Sequence, residues 1–97
     1  MQPVKRIEII TNALKMREIC RTLKAHGVTG YSVIHDVTGE GERGVQTGDD
    51  LSDAFKNSYL LTACAPEQVA ELVEAVRPIL HQSGGICLVS DAQWLIH

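Results

Sequence analysis

The sequence lacks several features that would assign it to a common functional class. Its net charge is −3, so general attraction to nucleic acid or to an anionic membrane is not expected. Its three cysteines, Cys20, Cys64 and Cys87, form no C-x-x-C pair, and each lies inside an apolar periodic segment. We therefore expect reduced core thiols of a cytoplasmic protein and no disulfide framework.

Signals for membrane insertion, secretion and common catalytic chemistry are also missing. No apolar run approaches the roughly 20 residues of a membrane helix, and no signal-peptide pattern opens the chain. No nucleophile is paired with a base, no Walker loop occurs, and the four histidines have neither helical nor zinc-finger spacing. We expect a non-enzymatic protein that requires no metal, does not insert into a membrane and has no nucleic-acid partner.

What the sequence does contain is an alternation of strand and helix patterns in a single domain, residues 1–97. Period-two patterns predict strands over 4–11, 30–37, 58–64 and 86–92. Helical periodicity predicts one helix from Ala13 that stops at Gly27, and Asn12 or Thr11 can cap its start. A second helix begins at Pro66, and its last turn is bent or already ended at Pro78. Residues 93–97 are interpreted as an apolar tail.

This order of elements predicts an α+β, ferredoxin-like fold. In the βαββαβ arrangement two helices cover one face of an antiparallel four-stranded sheet, and the other face stays open. We expect Ile10, Ile34 and Leu88 on that open face, together with the tail Trp94–Ile96. Since an exposed apolar sheet is a liability unless another subunit covers it, we expect a homo-oligomer.

A long loop between the second and third strands, residues 38–56, carries the main functional signal. It contains Gly39, Gly41, Gly44 and Gly48, several acids and a single arginine, Arg43. Glycines allow positive φ and a close approach of backbone N–H groups to a ligand, and an arginine suits phosphate or carboxylate. The loop is therefore predicted to be flexible, to bind an anionic small molecule such as a nucleotide, and to report it to a partner.

Three motifs in this order carry a family resemblance. They are Gly27-Val28-Thr29-Gly30-Tyr31-Ser32-Val33, then Gly39-x-Gly41-x-Arg43 with Ser52-Asp53-Ala54-Phe55, and finally Gly84-Gly85. With them the chain resembles the PII signalling superfamily over nearly its whole length, and more closely the PII-like branch tied to bicarbonate uptake and carboxysomes. Loop 38–56 then corresponds to the T-loop of that family, and Gly84-Gly85 to its second phosphate-contacting loop.

The resemblance implies a homotrimer that binds adenine nucleotides in clefts between subunits. Some members of this branch also respond to bicarbonate, and they bind or release a protein partner through the T-loop. The implied partner is a bicarbonate transporter or a carboxysome component, and the implied location is the cytoplasm, in association with carboxysomes.

The resemblance also assigns site residues. Ser32 is expected to meet the adenine edge, Gly39 and Gly41 to let the loop pass close to the nucleotide, and Arg43 to contact phosphate. The full nucleotide-binding set is Ser32, Gly39, Gly41, Arg43, Ser58, Gly84, Gly85 and Ile86, of which the last three offer main-chain donors. The bicarbonate or anion set is Gly41, Glu42, Arg43 and Gly44.

Departures from the family pattern set the expected nucleotide. Classical members place a lysine in the second loop and two arginines near the C-terminus, whereas Gln82-Ser83-Gly84-Gly85-Ile86 has no lysine and the sequence stops at His97. Gln46 stands where relatives can carry a second T-loop arginine. Each missing charge-assisted contact weakens phosphate binding by about 1.5–3 kcal/mol. We therefore expect AMP or ADP to be favoured over ATP.

Other interpretations of the same residues stay open. Arg43 can pair with neighbouring acids, and Gly84-Gly85 can be a simple turn after a helix. The loop acids Glu40, Glu42, Asp49 and Asp50 can hold Mg²⁺ beside a nucleotide, which leaves slow hydrolysis open. The alternative functions are a ferredoxin-like trimer for divalent-metal tolerance and a small αβ-barrel enzyme that uses the open sheet as a pocket.

Overall fold

The computed structural model describes residues 1–39 and 56–95. The elements are β1 (Gln2–Asn12), α1 (Ala13–Ala25), β2 (Ser32–Val37), β3 (Asn57–Cys64), a 3₁₀ turn (Pro66–Gln68), α2 (Val69–Ser83) and β4 (Ile86–Trp94). The predicted anion-binding residues Gly41, Glu42, Arg43 and Gly44 lie outside the described residues, and so do residues 96–97 of the predicted tail.

The strands form one four-stranded sheet in the order β2-β3-β1-β4. Every neighbouring pair is antiparallel: β1 pairs with β3 and β4, and β2 pairs with β3. This arrangement confirms the predicted ferredoxin-like βαββαβ fold.

One face of the sheet packs against both helices and forms the core. The odd-numbered residues of β1 point into it, because side chains alternate between the two faces of a strand. The fully buried apolar side chains of this core, from the sheet and both helices, are Ile7, Ile9, Ile19, Leu23, Leu60, Leu72 and Val76. Burying one such side chain stabilises the fold by about 1.5–3 kcal/mol.

Helix α1 begins and ends as its sequence predicts. The Asn12 side chain accepts a hydrogen bond from the Lys15 N–H at 2.8 Å, which satisfies one unpaired donor of the first turn. After Ala25 the chain turns through Gly27 at φ +93°, and the Val28 N–H donates back to the Leu23 carbonyl at 3.0 Å. A residue other than glycine is strained in this backbone conformation.

The second half of the chain differs from the sequence expectation at three places. Residues Pro66–Gln68, where the sequence predicts the start of the second helix, form the 3₁₀ turn, and α2 begins at Val69. Helix α2 runs through Pro78 to Ser83, so it does not end at Pro78. The side chain of Pro78 lies on the exposed face of the helix, where water can satisfy the carbonyl that loses its N–H partner. Strand β4 extends to Trp94, since Trp94 pairs with Gln2 and Gln93 pairs with Pro3. The predicted tail is therefore partly strand.

The second face of the sheet is open in a single chain. Ile10, Ile34, Tyr59 and Ile86 form one row across the four strands, and Glu8, Ser32, Leu61 and Leu88 form the next. Ile34, Leu88 and Trp94 are 59%, 57% and 53% exposed. This face carries the predicted Ile10, Ile34 and Leu88, with Trp94 placed there as part of β4, whereas Leu95 follows the end of β4 and residue 96 lies outside the described residues.

Over the two described ranges, no helix combines the length and the apolar character that a membrane crossing needs.

Candidate functional site

The candidate site lies at the end of the sheet where both predicted ligand loops enter. Loop 38–56 follows β2 and precedes β3, and the second loop joins α2 to β4. In the antiparallel pairings, the last residues of β1 and β2 lie beside the first residues of β3 and β4. Gly39, Ser58, Gly85 and Ile86 therefore all belong to one end of the molecule.

The second loop holds its own backbone donors. Gly84 caps α2 at φ +76°, and its N–H donates to the Leu80 carbonyl at 2.8 Å. The Gly85 N–H donates to Ser83 Oγ at 3.2 Å. Two of the three main-chain donors predicted for phosphate are thus engaged inside the chain, and their assignment to a nucleotide stays a prediction.

Gly85 is required here for space. A Cβ at this position would lie 2.5 Å from the Ile10 carbonyl oxygen, 2.9 Å from Thr11 Cβ and 3.0 Å from Leu80 Cδ2. Real Cβ atoms do not approach other atoms so closely. The backbone of the second loop is therefore pressed against the end of β1, and the interpretation of Gly84-Gly85 as a structural turn gains support.

Among the predicted site residues that the structure describes, Ser58 is the most buried. It is 1% exposed, lies on the helix side of the sheet, and its Oγ is 3.3 Å from His35 Nδ1. Its register neighbour on β1 is Thr11, whose hydroxyl donates to Ser83 Oγ at 2.6 Å. At this end of the sheet the buried hydroxyls of Ser58 and Thr11 lie beside the core, and each has a hydrogen-bond partner within the chain.

Ser32 is placed apart from the other predicted residues. It begins β2 on the open face and pairs with Leu61, three residues along β3 from Ser58. At about 3.3 Å per residue, that separation is about 10 Å along the strand, and the two side chains point to opposite faces. Within the described residues, one chain does not place Ser32 next to Ser58 or the second loop.

The β2 end of loop 38–56 departs from regular strand geometry. Asp36 has φ +62°, and the pairing shifts between His35, opposite Ser58, and Val37, opposite Asn57. An extra residue in one strand makes a β-bulge, which bends the strand and changes where the following residues point. Gly39 follows this bulge, and in the part of the chain that the structure describes no atom outside its immediate neighbours would lie within 4 Å of a Cβ built there.

Sequence reasoning missed Lys15, which is a cation at this end of the molecule. Its Nζ donates to Gln82 Oε1 at 2.8 Å and lies 3.4 Å from Glu18 Oε1. The helical pattern placed Lys15 only on the polar side of α1. Its position in the first turn was the usable signal, because the ferredoxin-like topology sets that turn beside the connection from α2 to β4.

The open face contains one polar cluster among its apolar residues. The Tyr59 hydroxyl donates to Glu8 Oε2 at 2.5 Å, and Arg6 Nε lies 3.6 Å from Glu8 Oε1. Arg6 Nε also donates to Ser90 Oγ at 3.1 Å. The hydrogen bond to Glu8 and, to a lesser degree, burial raise the pKa of Tyr59 above its ordinary value.

The cysteines show the environment of core thiols. Burial raises the pKa of Cys64, and nearby Glu67 raises it further. Burial also raises the pKa of Cys87, against a smaller opposing effect of Arg77. In residues 1–39 and 56–95 no group of three or more histidine, cysteine or acidic side chains is arranged to hold a metal ion.

Comparison with known proteins gives a family match that spans nearly the whole chain. The family described as nitrogen regulatory protein P-II matches residues 4–95. No curated protein sequence gave a significant match.

Solved structures agree with the observed fold. CPII from Thiomonas intermedia K12, a nitrogen regulatory PII-like protein bound to ADP, AMP and bicarbonate, is 24% identical with a TM-score of 0.83, over 98% of this chain and 96% of that chain. The same protein bound to ADP and bicarbonate is 28% identical with a TM-score of 0.80, over 95% and 88%. A PII-like signaling protein from Thermus thermophilus is 20% identical with a TM-score of 0.78, over 97% and 91%.

Proposed function

This chain belongs to the nitrogen regulatory protein P-II family, and we propose from that premise that it is a non-enzymatic regulator that binds adenine nucleotides between the subunits of a homotrimer. AMP and ADP are favoured over ATP. Nucleotide binding changes the order of loop 38–56, and this loop then binds or releases a protein partner.

The separation of Ser32 from Ser58, Gly39 and the second loop is the observation that carries the proposal. Ser32 lies on the open face of the sheet, whereas Gly39 and Gly85 belong to the loop end. Because Ser32 and Ser58 point to opposite faces of the sheet, a second copy whose Ser32 faces the loops of the first would bring these groups to one nucleotide. The exposed apolar residues of the open face supply a reason for the copies to associate.

The nucleotide itself is inferred from similarity and from charge. CPII, a nitrogen regulatory PII-like protein with the same fold, has been solved with ADP, AMP and bicarbonate. Arg43 is the proposed phosphate contact from loop 38–56. The second loop carries no lysine, and two of its backbone donors are engaged, so it offers little to a third phosphate. These features favour a nucleoside mono- or diphosphate over a triphosphate as the ligand.

We also propose that bicarbonate binds at Gly41, Glu42, Arg43 and Gly44, beside the nucleotide. The regulated process is inorganic-carbon uptake or carboxysome function, and the partner is a bicarbonate transporter or a carboxysome component. The support is the bicarbonate bound in the similar CPII structures. No observation on the described residues favours the divalent-metal or barrel-enzyme alternative.

Calorimetry tests the ligand proposal. The protein is titrated with AMP, ADP, ATP and cyclic AMP, each with and without bicarbonate. Arg43→Ala should weaken ADP binding about tenfold or more, since a charge-assisted hydrogen bond contributes about 1.5–3 kcal/mol. Arg77→Ala is the matched control, because Arg77 lies on α2 and pairs with Glu74 at 3.0 Å. No heat with any nucleotide would remove the proposal.

Native mass spectrometry tests the assembly. Leu88→Asp places a charge on the open face and should yield monomers. Leu14 is a matched control, since it is 61% exposed on α1 while Leu88 is 57% exposed on β4. Leu14→Asp should leave the trimer intact. A parent protein that is monomeric at micromolar concentration would contradict the proposed cleft.

A further inference from the structure

The junction between β1 and α1, residues 11–15, contacts the flanks of both loops of the candidate site. The Thr11 hydroxyl donates to Ser83 Oγ at 2.6 Å, and Lys15 Nζ donates to Gln82 Oε1 at 2.8 Å. On the other side, the Ala13 N–H donates to the Lys56 carbonyl at 2.9 Å. Two of these contacts are therefore with Gln82 and Ser83, which lead into the second loop. The third is with Lys56, where loop 38–56 returns to β3.

We infer that Lys15 is a positioning residue of the nucleotide site, which acts through Gln82 to fix the second loop against the return of loop 38–56. The inference rests on the proposed function for its ligand. The contacts that support it are hydrogen bonds within one chain and involve no ligand.

The junction is a rigid base for this contact. Asn12 accepts the Lys15 N–H at 2.8 Å, so the backbone of Lys15 is tied to the end of β1. Thr11 is 2% exposed and pairs with Ser58 of β3, and the preceding residue, Ile10, pairs with both β3 and β4. A side chain that extends from this base can hold a neighbouring segment at a fixed distance.

Other contacts already restrict the backbone conformation of the second loop. Ser83 Oγ receives hydrogen bonds from both Thr11 and the Gly85 N–H. Gly85 has no space around it, because even a Cβ would lie 2.5 Å from the Ile10 carbonyl. The remaining freedom lies at the end of α2, where Gln82 is exposed, and this is the residue that Lys15 contacts.

The surroundings of Lys15 favour a role through Gln82 over direct contact with phosphate. Its Nζ already donates to Gln82 and lies 3.4 Å from the Glu18 carboxylate, which offsets its charge. Its side chain is 31% exposed. A charge-assisted hydrogen bond in this position is worth more than a neutral one of the same length.

ADP titration of three variants gives the first test. Lys15→Met keeps the aliphatic stem and removes the donor, and it should weaken ADP binding about three- to tenfold, the effect of losing one hydrogen bond of typical net strength. Lys15→Arg keeps a cationic donor and should restore most of the affinity. Lys24→Met, in the last turn of the same helix, should bind ADP like the parent. Equal affinity of Lys15→Met and the parent would overturn the inference.

A double-mutant cycle separates positioning from direct contact. If Lys15 acts through Gln82, then Gln82→Leu should weaken ADP binding as much as Lys15→Met, and the double variant should be no weaker than either one. If Lys15 contacts phosphate itself, the two effects should add. Additivity would overturn the positioning role while leaving the proposed nucleotide site intact.

Hydrogen exchange without any nucleotide keeps this test independent of the proposed function. Loss of the Lys15–Gln82 contact should speed amide exchange at Gly84 and Gly85 about threefold or more, because protection reports local opening. Lys24→Met should leave these amides unchanged. If the parent binds no nucleotide but Lys15→Met speeds this exchange, the proposed function fails and the positioning contact stands. Unchanged exchange in Lys15→Met would overturn the contact.

Discussion

The substitution Gly85→Ala tests whether the second loop is fixed by packing. The added Cβ would lie 2.5 Å from the Ile10 carbonyl oxygen and 2.9 Å from Thr11 Cβ. Both atoms belong to the end of β1, where Ile10 pairs with strands on both sides and Thr11 pairs with Ser58 of β3, so neither can yield as a surface side chain would. Overpacking of this kind costs about 1–3 kcal/mol, and contact with backbone places the substitution at the upper end of that range.

A loss of this size is large for a domain of 97 residues. One kcal/mol shifts the unfolding midpoint of a small domain by about 4–8 °C, so Gly85→Ala should lower it by about 10–20 °C. Thermal unfolding followed by circular dichroism measures the shift. Parent and variant are compared at equal protomer concentration, because assembly makes the midpoint depend on concentration.

Gly39→Ala is the control for this measurement. Among the described residues a Cβ at Gly39 would have no neighbour within 4 Å, so the substitution should change the free energy of unfolding by no more than about 0.5 kcal/mol. If Gly85→Ala unfolds within about 2 °C of the parent, the second loop shifts without cost and the packing argument is wrong.

Three further predictions concern a cap, a phenol and a thiol. Asn12→Ala should lower the free energy of unfolding by about 1 kcal/mol in a denaturant titration, because the first turn of α1 loses the acceptor for the Lys15 N–H; an unchanged midpoint would contradict the cap. The raised pKa of Tyr59 means that its hydrogen bond to Glu8 favours the neutral phenol. This hydrogen bond therefore stabilises the folded state fully at pH values below the ordinary pKa of 10.0, and the stabilisation is lost as the pH rises through the raised pKa. The stability of the parent should therefore fall more steeply above pH 10 than that of Tyr59→Phe, and equal slopes would refute this. Cys64, at 7% exposure and with a raised pKa, should be the last cysteine labelled by iodoacetamide in the native protein at pH 8; peptide mass mapping that finds it labelled as fast as Cys20 would contradict its burial.

The fold could be predicted from sequence because its periodic segments are long and well separated. Helix α1 shows this best, since its apolar positions, its Asn12 cap and the stop at Gly27 all agree. The end of α2 could not be predicted in the same way. Proline has a strong local effect, but at Pro78 the lost hydrogen bond faces water, and burial of Ile79 and Leu80 favours continuing the helix.

The candidate site was only partly accessible from the sequence. Glycine positions predicted where loops lie, but they could not show that Gly84 and Gly85 already use their N–H groups within the chain. The face on which Ser58 lies depends on strand register, and the contact of Lys15 with Gln82 joins residues 67 positions apart. Such long-range geometry follows from tertiary packing and leaves no local pattern.

The β-bulge at Asp36 makes the two margins of the sheet unequal. Strand β2, on one margin, has six residues and loses its regular hydrogen-bonding repeat at Asp36, whereas β4, on the other, continues through nine. A strand from another molecule would find only a few consecutive pairing positions along β2. If sheets of successive molecules paired edge to edge into an open fibre, each molecule would have to use both of its edge strands. Because the bulge makes β2 a poor partner for such pairing, growth of a fibre should be limited, and closed oligomers should be favoured.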